Sequence, residues 1–406
     1  MSWESVKLGD ISSGIQTGPF GSQLHQSDYT EDGTPVVMPK DLIGGKISEQ
    51  SIARVGAEHV QRLQRHIIRN GDILYSRRGD VGRCAFATER ETGWLCGTGC
   101  LRVTVNPRVA DNKFVFYQLQ QSSTIGWVEK HAVGATMLNL NTTILSNIPV
   151  FLPPIETQRR IADIVSAYDD LIENNRKQIK LLEEAAQRLY KEWFVDLRFP
   201  GHEHTKIVDD VPEGWEKSTV ASVSSVLRRG ISPRYNENGK SIVINQKCIR
   251  QTVVTFDESR RQEKPYPEDL NLQDSDTVIC STGAGTLGRV GQIFGDYSDT
   301  TFDSHVTLIR AKEGFEKQYL FQSLKARQTY LMGMGKGSTN QLELSRGTIQ
   351  DLDIHIPSKK VLNQFEQVAQ PMHDKISVIS KSILQLQTVR DRLLPKLMSG
   401  EIELKK

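Results

Sequence analysis

Cysteine is scarce in this sequence, which contains five cysteines among 406 residues. An odd number of cysteines in a chain of this length does not indicate a framework of disulfide bonds. It favours the reduced, buried thiols of a cytoplasmic protein. Cys96 and Cys100 form the one close pair, and no second pair follows at the spacing that a zinc site requires. We therefore predict a cytoplasmic localisation and no bound metal.

Long apolar runs are also missing. No stretch approaches the roughly 18 apolar residues that indicate a membrane-spanning helix. The segment from Met1 to Ser5 lacks the basic region and apolar core of a secretory signal. We expect neither a signal segment nor an association with a membrane.

Neither charge sign is in excess, since 51 lysines and arginines face 49 acidic residues and the net charge is +2. The overall balance gives no indication of a polyanionic partner, so only a local cluster of one sign can do so. The hydrophobic content of 37% and the charged content of 25% are typical of a globular chain.

Motifs that carry catalysis are not found. Gly283, Gly285 and Gly288 have the spacing of a dinucleotide-binding loop, but the counterpart Gly79-x-x-Gly82 lacks the first glycine and no βαβ unit is evident. Neither segment is followed by the Gly-Lys-Ser/Thr of a phosphate-binding loop, so a tight turn between strands is the better interpretation. No Gly-x-Ser-x-Gly or His-Glu-x-x-His motif occurs. We predict that the chain is not an enzyme and holds no cofactor of its own.

An internal repeat organises the chain. Three segments recur in the same order roughly 205 positions later: Trp3-Glu4 as Trp215-Glu216, Gly71 to Ser76 as Ser275 to Cys280, and Ile148 to Pro153 as Leu352 to Pro357. Because order and spacing are both kept, one duplicated unit explains the matches better than chance.

Each copy begins with a mixed region of strands and helices. Short β-branched runs at Cys100–Val105 and Val306–Ile309 predict strands, and 113–121 and 317–325 predict matching helices. These regions predict two α+β domains.

A long amphipathic helix ends each copy. Apolar residues recur in alternating steps of four and three through the first helix, and the same phase returns in the second. Such a heptad seam is typical of coiled coils, and the matched phase favours antiparallel packing of the two helices on each other. Two unrelated helices, each packed on its own domain, are the alternative. The seam residues are Ile161, Val165, Tyr168, Ile172, Asn175, Ile179, Leu182, Leu189 and Trp193, then Met372, Ile376, Ile379, Ile383, Leu386, Leu393 and Leu397.

The sequence therefore predicts an α+β fold in which two globular domains are separated by two long antiparallel coiled-coil helices. The predicted segments are 1–153, a domain; 154–200, a spacer helix; 201–357, the second domain; and 358–406, the second spacer helix.

Two residues of the second helix depart from the pattern. Arg390 is a charged residue in the otherwise apolar second seam. Pro371 is a candidate for the first turn of the second helix, because an interior proline removes a hydrogen bond.

Positive charge is concentrated in one stretch of each mixed region. The planar fork of arginine suits phosphate oxygens and the O6/N7 edge of guanine. A solvated surface is the alternative for any single residue, but a cluster in both halves favours two DNA-binding domains. The candidate DNA-binding residues are Arg62, Arg65, Arg69, Arg77, Arg78, Arg83, Arg228, Arg229, Arg234, Arg250, Arg260, Arg261 and Lys264.

The chain resembles the specificity (S) subunits of type I restriction-modification systems. Three segments carry the resemblance: Ile148 to Ile161, Leu189 to Gly201 and Arg390 to Ile402. It implies two target-recognition domains related by a pseudo-twofold axis, each reading one half of a bipartite double-stranded DNA site. It also implies two modification subunits, which bind S-adenosylmethionine, and restriction subunits, which use ATP and Mg²⁺. Because the basic stretches of the two halves differ, we expect an asymmetric target, whose sequence the residues do not specify.

Two other classes of function remain open at this point. One is an enzyme with a nuclease or methyltransferase site of its own, which the purified chain would reveal by cleaving or methylating DNA. The other is a scaffold that binds proteins through its helices and binds no DNA, which a salt titration of DNA binding would separate.

Overall fold

The computed structural model describes residues 3–134, 137–209, 211–335, 342–402 and 404. Two compact units divide the chain: the first contains Met1–Ile172 and Gln385–Lys406, and the second contains Glu173–Leu384. Each unit therefore combines one mixed domain with one part of each long helix. Residues 1, 2, 405 and 406, at the ends of the predicted segments, lie outside the described residues.

The mixed domain of the first unit is built mainly from short strands. Its strands are β1 (Glu4–Lys7), β2 (Ser12–Thr17), β3 (Tyr29–Thr30), β4 (Thr34–Val37), β5 (Leu42–Ile43), β6 (Lys46–Ile47), β7 (Ala53–Val55), β8 (Ile73–Ser76), β9 (Cys84–Phe86), β10 (Leu95–Cys96), β11 (Cys100–Val105) and β12 (Pro149–Leu152). Its helices are α1 (Ala57–Arg62), α2 (Asn112–Leu119), α3 (Ser122–His131) and α4 (Thr142–Ser146), and the long helix α5 (Ile155–Tyr190) follows.

The second unit contains the remaining elements, apart from residues 385–399 at the end of its long helix, which belong to the first unit. Its strands are β13 (Ile207–Val208), β14 (Val211–Pro212), β15 (Glu216–Thr219), β16 (Ser224–Arg229), β17 (Ser241–Ile244), β18 (Arg260–Gln262), β19 (Thr277–Cys280), β20 (Val290–Gln292), β21 (Thr300–Phe302), β22 (Val306–Ala311) and β23 (Asp353–Ile356). Helices α6 (Lys317–Ala326), α7 (Gln328–Gly333) and α8 (Arg346–Gln350) precede the long helix α9 (Lys359–Ser399).

The two mixed domains share one sheet topology. The sheet β2-β11-β8-β9 of the first unit corresponds to β16-β22-β19-β20 of the second, and β1-β12 corresponds to β15-β23. In the second sheet of each domain, β4 lies between β10 and β7, as β17 lies between β21 and β18. Even an isolated bridge is repeated, since Arg78–Asn139 matches Thr282–Glu343. The predicted internal repeat and α+β class are confirmed.

The glycine-rich segments are turns between antiparallel strands. Residues 77–83 join β8 to β9, and residues 281–289 join β19 to β20. Gly288 has a φ of +76°, and a Cβ there would lie 2.5 Å from the Met332 amide nitrogen. Only glycine fits this combination of conformation and close approach, so its presence needs no phosphate ligand.

The long helices run antiparallel to each other within each unit. In the first unit Asp169 of α5 contacts Arg390 of α9. In the second unit Asn175 of α5 contacts Ser382 of α9, and in the turn that follows α5 the ring of Trp193 lies 6.0 Å from that of Phe365. The residue number on α9 falls as the residue number along the first helix rises, as antiparallel helices require.

The predicted seam residues, which lie on α5, on the turn after it and on α9, are all buried or half-buried. Apolar residues of the same helices outside the seam are exposed, including Leu171 at 51%, Leu181 at 64% and Val378 at 62%. In the first unit, Ile161, Val165 and Leu397 join the same apolar core as the sheet residues Tyr75 and Leu101. The seam therefore packs against the partner helix at some positions and against a mixed domain at others.

Both long helices differ at an end from the predicted segments. α9 begins at Lys359, so Pro371 lies inside it and does not mark its first turn; that prediction was wrong. Proline lacks one amide donor, but one missing bond does not end a helix of 41 residues whose apolar face is packed. α5 ends at Tyr190 in a π-helical turn, Lys191–Val195, and Leu197 then adopts a φ of +56°.

No helix in the described part of the chain is long and apolar enough to cross a membrane.

Candidate nucleic-acid interface

In the first unit, two predicted arginines reach the loop that follows β2. The guanidinium carbon of Arg77 lies 5.8 Å from the centre of the Phe20 ring. Arg62, at the end of α1, donates from Nη2 to the carbonyl oxygen of Gln23 at 2.9 Å. Arg78 follows Arg77 and is exposed, with its backbone bridged to Asn139. Arg62 and Arg77 therefore contact the same loop, and Arg78 adjoins Arg77 in the chain.

Arg83 lies at the other end of the same β8–β9 loop. Its Nη2 and Nε donate to one Asp80 oxygen at 2.7 and 3.0 Å. This ion pair compensates the charge of Arg83 within the loop.

Arg65 and Arg69 are exposed but lie before β8, whereas Arg77 follows it. Arg69 therefore stands at the opposite end of that strand and is not part of the group around Phe20. His66 is 2% exposed. Its burial, together with the charge of Arg65, lowers the pKa of His66 to about 4, so this neighbour adds no positive charge at neutral pH.

In the second unit, four predicted cations lie where the loop after β16 packs on β18. The guanidinium carbon of Arg260 lies 3.6 Å from the centre of the Tyr235 ring. Arg261 donates to the carbonyl oxygen of Gly239, and Lys264 donates to that of Ser232. The carbonyl oxygen of Arg234 accepts from the Glu263 amide, which holds the loop against the strand.

The remaining three cations of the second unit lie apart from that group. Arg229 pairs with Glu343 at 2.5 Å, and Arg250 pairs with Glu258 at 3.0 Å. Arg228 precedes Arg229 in β16, so its side chain points to the other face of the sheet, where Asp269 lies 3.9 Å away. The structure thus divides the second predicted cluster into separate places.

Carboxylate contacts separate the thirteen predicted cations into two classes. Six have a carboxylate oxygen within 4.0 Å: Arg62, Arg83, Arg228, Arg229, Arg234 and Arg250. Among the described residues, no such contact is found for the other seven: Arg65, Arg69, Arg77, Arg78, Arg260, Arg261 and Lys264. The seven, which we call the free cations, keep their full charge for a ligand.

Two further arginines, which sequence reasoning did not single out, form a duplicated ion pair. Arg102 of β11 lies 3.6 Å from Asp72, and Arg310 of β22 lies 2.7 Å from Asp276. Each arginine side chain is 14% exposed and each aspartate side chain 1%. Burial raises the pKa of Asp276, opposed by the hydrogen bonds and charge of Arg310. These buried pairs tie neighbouring strands together and are not open to a ligand.

The five cysteines are free and buried, as predicted. Burial raises the pKa of Cys84 and of Cys96 to about 12, so these thiols stay protonated at neutral pH. Within the described ranges, no group of three or more histidine, cysteine or acidic side chains is arranged to hold a metal ion.

Comparison with known proteins identifies the family. The family model described as "Type I restriction modification DNA specificity domain" matches residues 1–184 and 212–374. The two matches correspond to the two copies of the repeat. The chain therefore belongs to the type I restriction-modification DNA specificity family, and the resemblance found in the sequence is confirmed.

Individual relatives agree over nearly the whole chain. The chain is 25% identical to the type I restriction enzyme MjaIX specificity subunit of Methanocaldococcus jannaschii, an alignment covering 98% of this chain and 93% of that protein. It is 23% identical to the HindI specificity subunit of Haemophilus influenzae, covering 98% and 99%. The crystal structure of a type I S subunit from M. genitalium has the same fold, with a TM-score of 0.62, 17% identity and coverage of 100% and 97%.

Proposed function

We propose that this chain directs a type I restriction-modification complex to a bipartite, asymmetric double-stranded DNA site, with one mixed domain reading each half. One observation carries the proposal. The two domains have the same sheet topology but hold their free cations on different elements: Arg77 and Arg78 on the β8–β9 loop, Arg260 and Arg261 on β18. Two domains with the same sheet topology but differently placed cations are suited to recognising two different half-sites.

The free cations are the residues proposed to contact DNA first. Phosphate contacts fix the register of a protein on the duplex, and contacts to base edges select the sequence. The six paired arginines remain candidates only where DNA displaces their carboxylates, which adds a cost to binding. The seam residues of α5 and α9 are proposed to hold the two helices together, without contact to DNA.

The chemistry belongs to partner subunits in this proposal. Relatives are named as specificity subunits of type I restriction enzymes. We accordingly propose two modification subunits, which bind S-adenosylmethionine, and restriction subunits, which use ATP and Mg²⁺. In this proposal the chain itself contributes no catalytic residue and no cofactor, and the complex acts in the cytoplasm.

Adenine-methylation mapping tests the proposal. A host genome would be mapped while it expresses the modification subunits with this chain, and again without it. The expected result is methylation at one interrupted, asymmetric motif that disappears when this chain is omitted. An unchanged methylation pattern would refute the proposal and favour a protein scaffold without a role in DNA recognition.

A further inference from the structure

Each mixed domain holds one free cation against an exposed aromatic ring. In the first unit the pair is Arg77 and Phe20, and Phe20 is 53% exposed. In the second unit the pair is Arg260 and Tyr235, and Tyr235 is 41% exposed. An aromatic face attracts a guanidinium group and restricts the directions in which its plane can point.

The absence of a carboxylate distinguishes these pairs from a third one. Arg90 also lies over an aromatic ring, that of Trp94, at 5.7 Å. Arg90, however, is within 3.4 Å of Glu49 and 2.6 Å of Glu91, so the chain itself satisfies its charge. For Arg77, in contrast, the enclosed Nε has no hydrogen-bond partner among the described residues. Arg77 therefore lies near the Phe20 ring, and its enclosed Nε is left without a hydrogen bond from the described part of the chain.

The two pairs are built differently on the common frame. Phe20 lies in the loop after β2, and Tyr235 lies in the corresponding loop after β16. Arg77 follows β8, whereas Arg260 begins β18, a strand of the other sheet. The aromatic ring thus comes from the same loop in both domains, while the arginine approaches it from different elements.

We propose that Arg77 and Arg260 each donate two hydrogen bonds to the O6/N7 edge of a guanine, one in each half of the target, and that Phe20 and Tyr235 are their positioning residues. Reading guanine in this way needs a guanidinium fork held in one plane, which the ring supplies. This inference rests on the proposed function and adds to it which arginines recognise a base and that the base is guanine. Each half-site then contains at least one guanine, at positions set by different elements.

Lysine substitution tests the two arginines separately. Arg77→Lys and Arg260→Lys keep a positive charge that attracts phosphate but remove the planar fork. Each variant, in complex with its modification subunits, would be examined by methylation mapping of a host genome. We expect Arg77→Lys to relax the preference for guanine by about 5- to 150-fold at one position of one half-site. Arg260→Lys should do the same at one position of the other half-site.

The aromatic residues need a variant that separates positioning from packing. Phe20→Leu keeps apolar bulk without a ring face, and Phe20→Tyr keeps the ring. We expect Phe20→Leu to relax the same base position as Arg77→Lys, and Phe20→Tyr to restore the preference. Arg90→Lys is the matched control, since it alters an arginine over a ring that is already ion-paired, and it should leave the motif unchanged.

The outcomes distinguish this inference from the proposed function. If Arg77→Lys lowers methylation evenly at all sites with an unchanged motif, Arg77 contacts phosphate and the inference is wrong, although the wild-type motif still supports the function. The inference also fails if Arg77→Lys has no effect, or if Arg90→Lys relaxes the same position. If the wild-type chain specifies no motif, the proposed function itself fails.

Discussion

Free and paired cations should contribute differently to the salt dependence of DNA binding, and one loop allows the comparison. Arg78 is exposed and is a free cation, whereas Arg83 in the same loop has Asp80 at 2.7 Å. Arg78→Gln removes one free charge. The double variant Arg83→Gln/Asp80→Asn removes an ion pair and leaves the net charge unchanged.

The expected magnitude follows from counterion release. Each phosphate contact contributes about −0.9 to the slope of log affinity against log salt. Arg77 and Arg260 are assigned to bases, so the five other free cations give a slope of about −4.5 if all of them contact phosphate. Loss of the Arg78 contact should reduce the steepness by about 0.9. Between 50 and 200 mM salt, this corresponds to a fall in affinity about 3.5-fold smaller than that of the wild type. The double variant should keep the wild-type slope.

Fluorescence anisotropy with a labelled duplex carrying the mapped motif measures these slopes for the complex with modification subunits. Differences between variants isolate this chain's contribution, since the partner subunits are the same throughout. The reasoning is refuted if the double variant changes the slope as much as Arg78→Gln does, or if Arg78→Gln leaves it unchanged. Either result would mean that the carboxylate contacts do not separate DNA-binding cations from structural ones.

Three further predictions concern stability. Asp276→Asn leaves the buried Arg310 without its carboxylate and should lower the free energy of unfolding of the second unit by about 3 kcal/mol in urea titrations; a loss below about 1 kcal/mol would contradict a buried ion pair. His66, whose pKa is lowered to about 4, binds fewer protons in the folded than in the unfolded chain between about pH 6.5 and pH 4. The first unit should therefore lose up to about 3 kcal/mol as the pH falls through this window, and His66→Gln should remove most of that pH dependence. Phe365→Ala, at a fully buried ring that lies 5.0 Å from Phe194, should cost about 3–5 kcal/mol, measured as a lower Tm.

The repeat was predictable because it leaves its pattern in short, local segments. Trp3 and Trp215 precede corresponding strands, and the segments ending at Ser76 and Cys280 form corresponding central strands. Local patterns of this kind require no knowledge of tertiary contacts. The heptad seam is local in the same sense, since residues three and four apart share a helix face. Asp72 belongs to one of the matched segments, but its ion pair with Arg102 was not predictable from the sequence. The two residues are brought together only when their strands pair.

The division of the basic clusters was not predictable, for the same reason. The sequence shows only the carboxylates that lie within each basic stretch, such as Asp80 and Glu258. Three predicted arginines pair with acids outside those stretches: Asp28, Asp269 and Glu343. Only the folded chain shows which charges are already compensated. The contacts of Phe20 and Tyr235 were missed because a single aromatic residue in a loop carries no pattern.

The long helices show how two copies of one unit have lost their equivalence. In the first unit, Asp169 of α5 accepts hydrogen bonds from Tyr117 of the mixed domain and from Arg390 of α9, at 2.7 and 2.6 Å. At the corresponding place in the second unit, α9 carries His373, which is buried and faces Asp274 of its domain at 3.3 Å. A polar group within an apolar seam can fix the register of two helices, since a shifted helix leaves a half-buried charge such as Arg390 without its partner. Arg390, the charged residue in the second seam, therefore has its partner on α5, and the two copies of the unit differ in the polar contacts that their long helices make.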